Sequence, residues 1–366
     1  IRTVEIVLFG KFLEYISVIV AITFVATALT VWLIVLTKGI HGRWTLDDEL
    51  TNVQRFHDEP VPRVGGLAII VGLMAGGIYH GLQGDHELFQ IKWAAVAALP
   101  VFLGGLIEDL TKRFSPRDRL LLAFLSAAIA YYELRCGLNR TDWQWFDETI
   151  LSYPGVSLLF TIFMIGGVAH AANIIDGFNG LLGIHSLIIF IVLFAINLIN
   201  ENNNLIYILF YVSLLTLIFL KFNFPKAQIF LGDSGAYLIG ILIAISVIKT
   251  SNLNPSISPF FYCILLFYLF FEVFFSFFRK LFVVRQSPLL PDNQHLHMSF
   301  YKLLLKKNKI KLSSNYIVSI YINLIYLLLI IPGIIFMNNG LFCRYYFFSL
   351  LIIYIFFYKT LYENVK

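Results

Sequence analysis

The chain has 366 residues, of which 59% are hydrophobic and only 13% charged; 27 Lys and Arg face 22 Asp and Glu, for a net charge of +5. Its mean hydropathy is +0.80. Soluble domains carry about a quarter of their residues as Asp, Glu, Lys or Arg, so this composition excludes a soluble globular enzyme, and no nucleic-acid partner is expected.

A helix needs about 20 apolar residues to cross a bilayer core. Taken in chain order, runs of that kind occur at 16–37, 64–81, 91–107, 120–135, 156–172, 181–199, 205–221, 235–249, 258–284, 314–336 and 341–358. They predict an all-α, polytopic transmembrane bundle of about eleven helices. Little chain remains for a soluble unit, so residues 1–366 are read as one integral-membrane domain. No small-residue cleavage site follows the first run, so no cleavable signal peptide is expected. The start at Ile1 rather than Met leads us to expect that part of the natural N-terminus is missing. Between the fourth and fifth runs, the loop at about 136–155 carries Trp143, Trp145 and Phe146, which are expected to anchor helix ends at the lipid interface. Cys136, Cys263 and Cys343 match neither a metal spacing nor a disulfide framework. The first half is rich in Ala, Val and Gly and the second in Ile, Phe, Tyr, Asn and Lys, a contrast for which we have no physical account.

Lys and Arg in short loops stay on the cytoplasmic side. Threading the runs alternately puts twenty Lys and Arg on one side. The other side holds seven: Arg2, Lys11, Lys92, Arg135, Arg140, Lys249 and Arg344. The expected topology therefore has the N-terminus outside and the C-terminus in the cytoplasm. A one-helix error would swap every later loop and erase most of the bias.

Acidic residues at membrane depth are costly, so their positions carry information. Glu108 and Asp109 close the third run, Asp176 closes the fifth, and Asp233 opens the eighth. Charge bookkeeping puts all of them at the cytoplasmic face, together with His57, Arg63, Arg119, His295 and His297. Carboxylates beside Gly-rich helix ends and basic side chains suit a magnesium-diphosphate site. Magnesium takes carboxylate and phosphate oxygens, Lys and Arg hold phosphates, and helix N-termini receive anions. Each piece alone is more often a cap, a turn or a solvated edge; five of them on one face point to function.

From about Leu46 to Tyr301 the motifs, in order, resemble those of the polyprenyl-phosphate N-acetylhexosamine-1-phosphate transferases, and more distantly the phospho-MurNAc-pentapeptide translocase. They are N-V-Q-R-F-H-D-E-P-V-P-R-V-G-G (52–66), E-D-L-T-K (108–112), N-I-I-D-G-F-N-G-L (173–181), F-L-G-D-S-G (230–235) and P-D-N-Q-H-L-H (291–297). The resemblance implies that Asp233 is the direct magnesium ligand, with Asp176 beside it and manganese as the alternative cation. It places Asp109 and Glu108 where catalytic or metal-associated carboxylates sit. Asp176 and Asn173 would hold the nucleotide, and Phe230 would stack on uracil. Lys112, Arg119 and Arg63 would contact phosphates; His57 and Asn179 would lie on the substrate, and His295 and His297 at the diphosphate or sugar end. Four positions depart from the pattern. Glu108 replaces Asp, and Asn179 replaces the second Asp of D-G-x-D-G. Met298 stands where relatives place another His, and His170 where Asn is common. An active enzyme with shifted preferences is expected.

The resemblance further implies a bacterial inner-membrane enzyme moving N-acetylhexosamine-1-phosphate, as GlcNAc or a modified relative, from a UDP-sugar to undecaprenyl phosphate to initiate a surface polysaccharide. Relatives form homodimers, so that state is open as well. Direct attack by the lipid phosphate and a route through a carboxylate intermediate both fit, direct attack being favoured because a polyprenyl phosphate is already largely ionised. The MurNAc-pentapeptide substrate is the alternative within enzymes. A secondary transporter is the rival from another class, but its ionisable groups belong near the midplane at broken helices in repeated halves, not at one face.

Overall fold

Lipid offers no water to backbone N–H and C=O groups, so a membrane-embedded chain satisfies them internally as helices. The computed structural model of the protein shows this outcome and describes residues 2–46, 60–82, 89–287, 294–308 and 311–365. The helices are α1 (Arg2–Leu36), α2 (Lys38–Thr45), α3 (Gly66–Leu82), α4 (Phe89–Thr111), α5 (Pro116–Glu133), the single turn α6 (Gln144–Phe146), α7 (Pro154–Ile175), α8 (Leu181–Ile199), α9 (Asn203–Asn223), α10 (Gly232–Leu253), α11 (Pro259–Leu265), α12 (Phe267–Phe278), α13 (Leu296–Asn308), α14 (Lys311–Ile335) and α15 (Gly340–Val365). Among the described residues the only β pairing is an isolated bridge between Leu46 and Pro62.

All eleven expected runs are helical. Among the described residues eight of them are long and apolar enough to cross a membrane: α1 from Val18, α4 from Ile91, α7, α8, α9 from Leu205, α10, α14 from Ser314, and α15. A ninth span is bent, because α11 and α12 meet at 75° around Leu266. The other two runs fall short for visible reasons. The apolar stretch of α3 is short, and α5 carries Arg117, Asp118 and Arg119 in its first turns.

Helix α10 is the centre of the bundle, buried along nearly its whole length and packed chiefly on α4 and α7. Lipid gives helices no hydrophobic reason to associate, so small residues that let backbones approach supply the packing. Gly240 shows this: a Cβ there would lie 2.6 Å from Cα of Ala169 and 2.9 Å from Cβ of Ala172 on α7.

The bundle has two polar ends. At one, Arg140 donates to the carbonyls of Asn254 at 3.1 Å and Pro255 at 2.6 Å, Lys249 to Leu134 at 2.9 Å, and Arg344 to Asp142 at 2.7 Å. These bonds tie α10, α5 and their loops together at this end. Trp143 and Trp145 are exposed at this end, and the three cysteines are free thiols. At the opposite end meet the C-termini of α4, α7 and α9, the N-termini of α10, α13 and α14, and the loop before α3. The charge threading separated the same two groups of loops.

Candidate functional site

The segment V-P-R-V-G-G is strapped onto I-F-L-G-D by backbone pairing. Phe230 N–H donates to Pro62 O at 2.8 Å, Gly65 N–H to Phe230 O at 2.8 Å, and Gly66 N–H to Leu231 O at 3.0 Å. Arg63 N–H donates to Thr45 O at 2.8 Å, tying the strap to α2. This pairing carries the Arg63 side chain over the start of α10. Gly232 makes the turn into the helix at φ +71°, the left-handed region that glycine enters without steric cost. A Cβ there would strike the Arg63 carbonyl and the Asp109 carboxylate.

The first N–H groups of a helix have no partner inside it. On α10 they find Asp109. Its Oδ1 accepts from Asp233 N–H at 2.8 Å, and its Oδ2 from Ser234 N–H at 3.0 Å and the Ser234 hydroxyl at 2.7 Å. Asp109 is only 2% exposed. Both of its oxygens hold the α10 N-terminus in place, and that contact aims Asp233.

Asp233, with 14% of its side chain exposed, lies between two guanidinium groups. Arg119 of α5 donates to Oδ2, and Arg63 stands 3.5 Å from Oδ1 and 3.9 Å from Asp109 Oδ1. Arg63 also acts on Asp176, which follows the last turn of α7. Asp176 keeps part of its surface open yet is densely surrounded. Burial pushes its carboxyl up to about 7, and the Arg63 charge pulls the other way. Arg63 therefore serves three carboxylates, each from a different motif distant from it in sequence.

Glu108 turns the other way: its Oε2 accepts from Phe114 N–H at 2.7 Å and organises the turn into α5. Within that turn Lys112 adopts φ +54°, where helices commonly end on glycine. Asn173 is half-buried on the last turn of α7, and Phe230 is half-buried where the strap pairs. His57 and the P-D-N of the histidine loop lie outside the described residues.

The turn Asp176–Gly180 is held from below. Asn179 N–H donates to Asn315 Oδ1 of α14 at 2.8 Å, Gly180 N–H to Asn223 Oδ1 of α9 at 2.7 Å, and the Asn179 amide to Pro225 O at 2.9 Å. Asn179 is 3% exposed, so its side chain lies within the fold, where its amide N–H is held by the Pro225 carbonyl. This explains an otherwise odd residue: a carboxylate at this position could not donate to the Pro225 carbonyl. Asn179→Asp is expected to lower stability by about 1–3 kcal/mol, the cost of leaving a buried acceptor facing another acceptor. Thermal unfolding in detergent measures it, and an unchanged midpoint would rule this locking role out.

His295 and His297 enter at the start of α13. Both are buried, at 5% and 0% exposure, and both reach Glu272 of α12. Glu272 was not among the residues singled out from sequence, although a lone carboxylate in the aromatic run F-Y-L-F-F-E-V-F-F was a signal of the kind that membrane depth makes informative. Ser234, Asn223 and Asn315, ordinary polar residues at helix ends, carry no signal in the sequence for the contacts they make here.

The fold and this end of it define a polytopic membrane protein whose acidic and guanidinium groups, contributed by five separate segments, converge at one face of the bundle. The sequence profile of glycosyl transferase family 4 matches residues 65–251, and the chain belongs to that family. It is 27% identical, over 76% of each chain, to the probable undecaprenyl-phosphate N-acetylglucosaminyl 1-phosphate transferase of Bacillus subtilis. It is 26% identical to the undecaprenyl-phosphate alpha-N-acetylglucosaminyl 1-phosphate transferase of Thermotoga maritima, over 68% of this chain and 70% of that one. The phospho-N-acetylmuramoyl-pentapeptide-transferase of Leuconostoc citreum is 30% identical over 51% of this chain and 61% of its own.

Proposed function

We propose that the protein transfers N-acetylhexosamine-1-phosphate, as GlcNAc or a modified relative, from a UDP-sugar to undecaprenyl phosphate and releases UMP. The observation that carries this reading is the placement of Asp233 at the N-terminus of α10, between Arg63 and Arg119 and beside the Asp176 turn. A helix N-terminus and two guanidinium groups favour phosphate oxygens, and the carboxylates favour a divalent cation. The names of the relatives support the carrier and the sugar. The Bacillus subtilis and Thermotoga maritima relatives named for N-acetylglucosamine match 76% and 68% of the chain, against 51% for the Leuconostoc citreum pentapeptide transferase, which favours the former substrate. The charge asymmetry supports a cytoplasmic site, with the C-terminus on the same side and the chain in the bacterial inner membrane.

Among the described residues no three His, Cys, Asp or Glu side chains converge into a metal cluster. Magnesium does not require one, because it commonly takes one or two protein carboxylates and completes its shell with phosphate and water. Asp233 and Asp176 fit that demand, both partly open on the same face and both within the field of Arg63. Bound there, the cation would neutralise charge on the diphosphate.

The lipid phosphate oxygen attacks the β-phosphorus, which bears the sugar. The bond to the bridging oxygen breaks, and UMP leaves with that oxygen. Such a displacement asks mainly for positioning and charge neutralisation. Arg119 and Arg63 hold phosphate oxygens, and Lys112 lies at the same end, in the turn between α4 and α5. Asp109 keeps Asp233 aimed. Direct attack suits this geometry, since Asp109, the buried member of the acidic pair, is already engaged by three donors.

Purified protein in detergent, given undecaprenyl phosphate, magnesium and a panel of UDP-sugars, is expected to release UMP with one N-acetylhexosamine donor and to stop when lipid or magnesium is withheld. Release independent of the lipid would show a hydrolase and sink the proposal.

A further inference from the structure

Glu272 is a membrane-depth carboxylate, 1% exposed, on the last full helix before the histidine segment. An isolated buried carboxylate costs several kcal/mol unless its oxygens are satisfied, and here each oxygen has its own donor. His295 Nδ1 lies 2.8 Å from Oε2, and Leu296 N–H donates to Oε1 at 3.2 Å. His297 Nδ1 stands 3.8 Å from Oε1 and 3.2 Å from the hydroxyl of Tyr268, one turn earlier on α12. A carboxylate only accepts, so the His295 proton sits on Nδ1, and any contact of that ring with substrate runs through Nε2. The two imidazoles are parallel, 5.4 Å apart and 1° from coplanar orientation.

The clamp also faces the site already described. The edge of His297 meets Phe178 at 5.7 Å, and a Cβ on Gly177 would lie 3.8 Å from His297 Nε2. The histidine segment therefore underlies the Asp176 turn. The carboxylate that fixes its rings belongs to the bent helix pair, a different element from those that carry Asp109, Asp176 and Asp233.

We infer that Glu272 is a positioning residue, which fixes His295 and the first turn of α13 against the Asp176 turn so that the histidines meet the diphosphate or sugar of the donor in one orientation. The inference rests on the transferase reading above. Outer partners that orient a metal-ligating histidine are typically worth 10- to 100-fold when removed, and the same scale is taken for a histidine that must meet a substrate in one orientation.

The test is a double-mutant cycle. Gln at 272 has a single acceptor oxygen for donors that need two, so either His295 or Leu296 is left facing an amide N–H. Glu272→Gln is expected to lower kcat about 10- to 100-fold with KM for the UDP-sugar changed by less than about threefold. His295→Ala is expected to fall at least as far, and the double variant no further than His295→Ala alone. Glu272→Asp keeps two acceptor oxygens and is expected to lose less than Gln. Losses that multiply in the double variant, equal losses for Asp and Gln, or full kcat in Glu272→Gln would each overturn the inference. Selective ¹⁵N-histidine NMR supplies a readout independent of turnover. The signal that vanishes in His295→Ala is expected to show Nδ1 protonation in the wild type and to change in Glu272→Gln; an unchanged signal would overturn the clamp. Wild-type protein that releases no UMP, with the His295 signal still responding to Glu272, would sink the transferase reading and leave the clamp standing.

Discussion

Asp233→Ala is expected to abolish UMP release down to a residue of about 10⁻² to 10⁻³ of the wild-type rate, the usual loss when a group that neutralises developing charge is removed. The size follows from where the side chain sits. Its two oxygens face Arg119 and Arg63 from separate helices and loops, and it stands in the first turn of α10, where N–H groups and the helix dipole favour an arriving phosphate. Removing it deletes the proposed cation ligand and releases both guanidiniums from their arrangement. The check has two arms: UMP release with lipid and magnesium, and manganese binding followed by electron paramagnetic resonance. Loss in both supports cation binding through Asp233. Loss of turnover with manganese binding intact would mean that Asp233 organises the arginines and that the cation lies elsewhere.

Much of this site could be read in the sequence, and the reasons are physical. Charged residues are rare in a chain that is 59% hydrophobic, so Asp109, Asp176 and Asp233 stood out, and the asymmetry of Lys and Arg assigned them to one face. The structure brings all three to one end of the bundle. The sequence could not reveal direction within the site. Asp109 and Asp233 look alike as acids at helix ends, yet one is turned inward to cap α10 and the other outward between two arginines. That difference depends on how the strap 62–66 pairs with 230–231, a contact between segments far apart in the chain. Asn179 stands in a motif position that marks it for the site, but the motif does not show that its amide N–H is held by Pro225. Glu272 belongs to none of the motifs: its place in an aromatic run marks it as costly but gives it no partner, and only folding carries His295 to it. The eleven expected runs are all helical, and α5, although Arg117, Asp118 and Arg119 stand in its first turns, reaches from Arg119 at the site to Leu134 at the opposite polar end.

Asp109 separates two ways in which an acid can matter, and its variants are expected to tell them apart. As a general base it would need a free oxygen near the attacking phosphate, and Asp109→Asn would cost turnover while leaving stability nearly untouched. The geometry predicts another result. Asp109 accepts from two backbone N–H groups and one hydroxyl while nearly fully buried, and each buried donor left unpaired costs about 1–3 kcal/mol. Asp109→Ala orphans three donors and is expected to cost about 3–5 kcal/mol, less than their sum because the first turn of α10 can relax and admit water. Asp109→Asn keeps one acceptor oxygen but turns an amide N–H toward a backbone N–H, so about half that loss is expected. Turnover should fall in both variants in step with the unfolding midpoint, because a loosened α10 start no longer holds Asp233 between Arg63 and Arg119. A thermally intact Asp109→Asn with no turnover would return Asp109 to the role of base and reopen the route through a carboxylate intermediate. A destabilised variant whose surviving folded fraction still turns over would confine Asp109 to holding the helix.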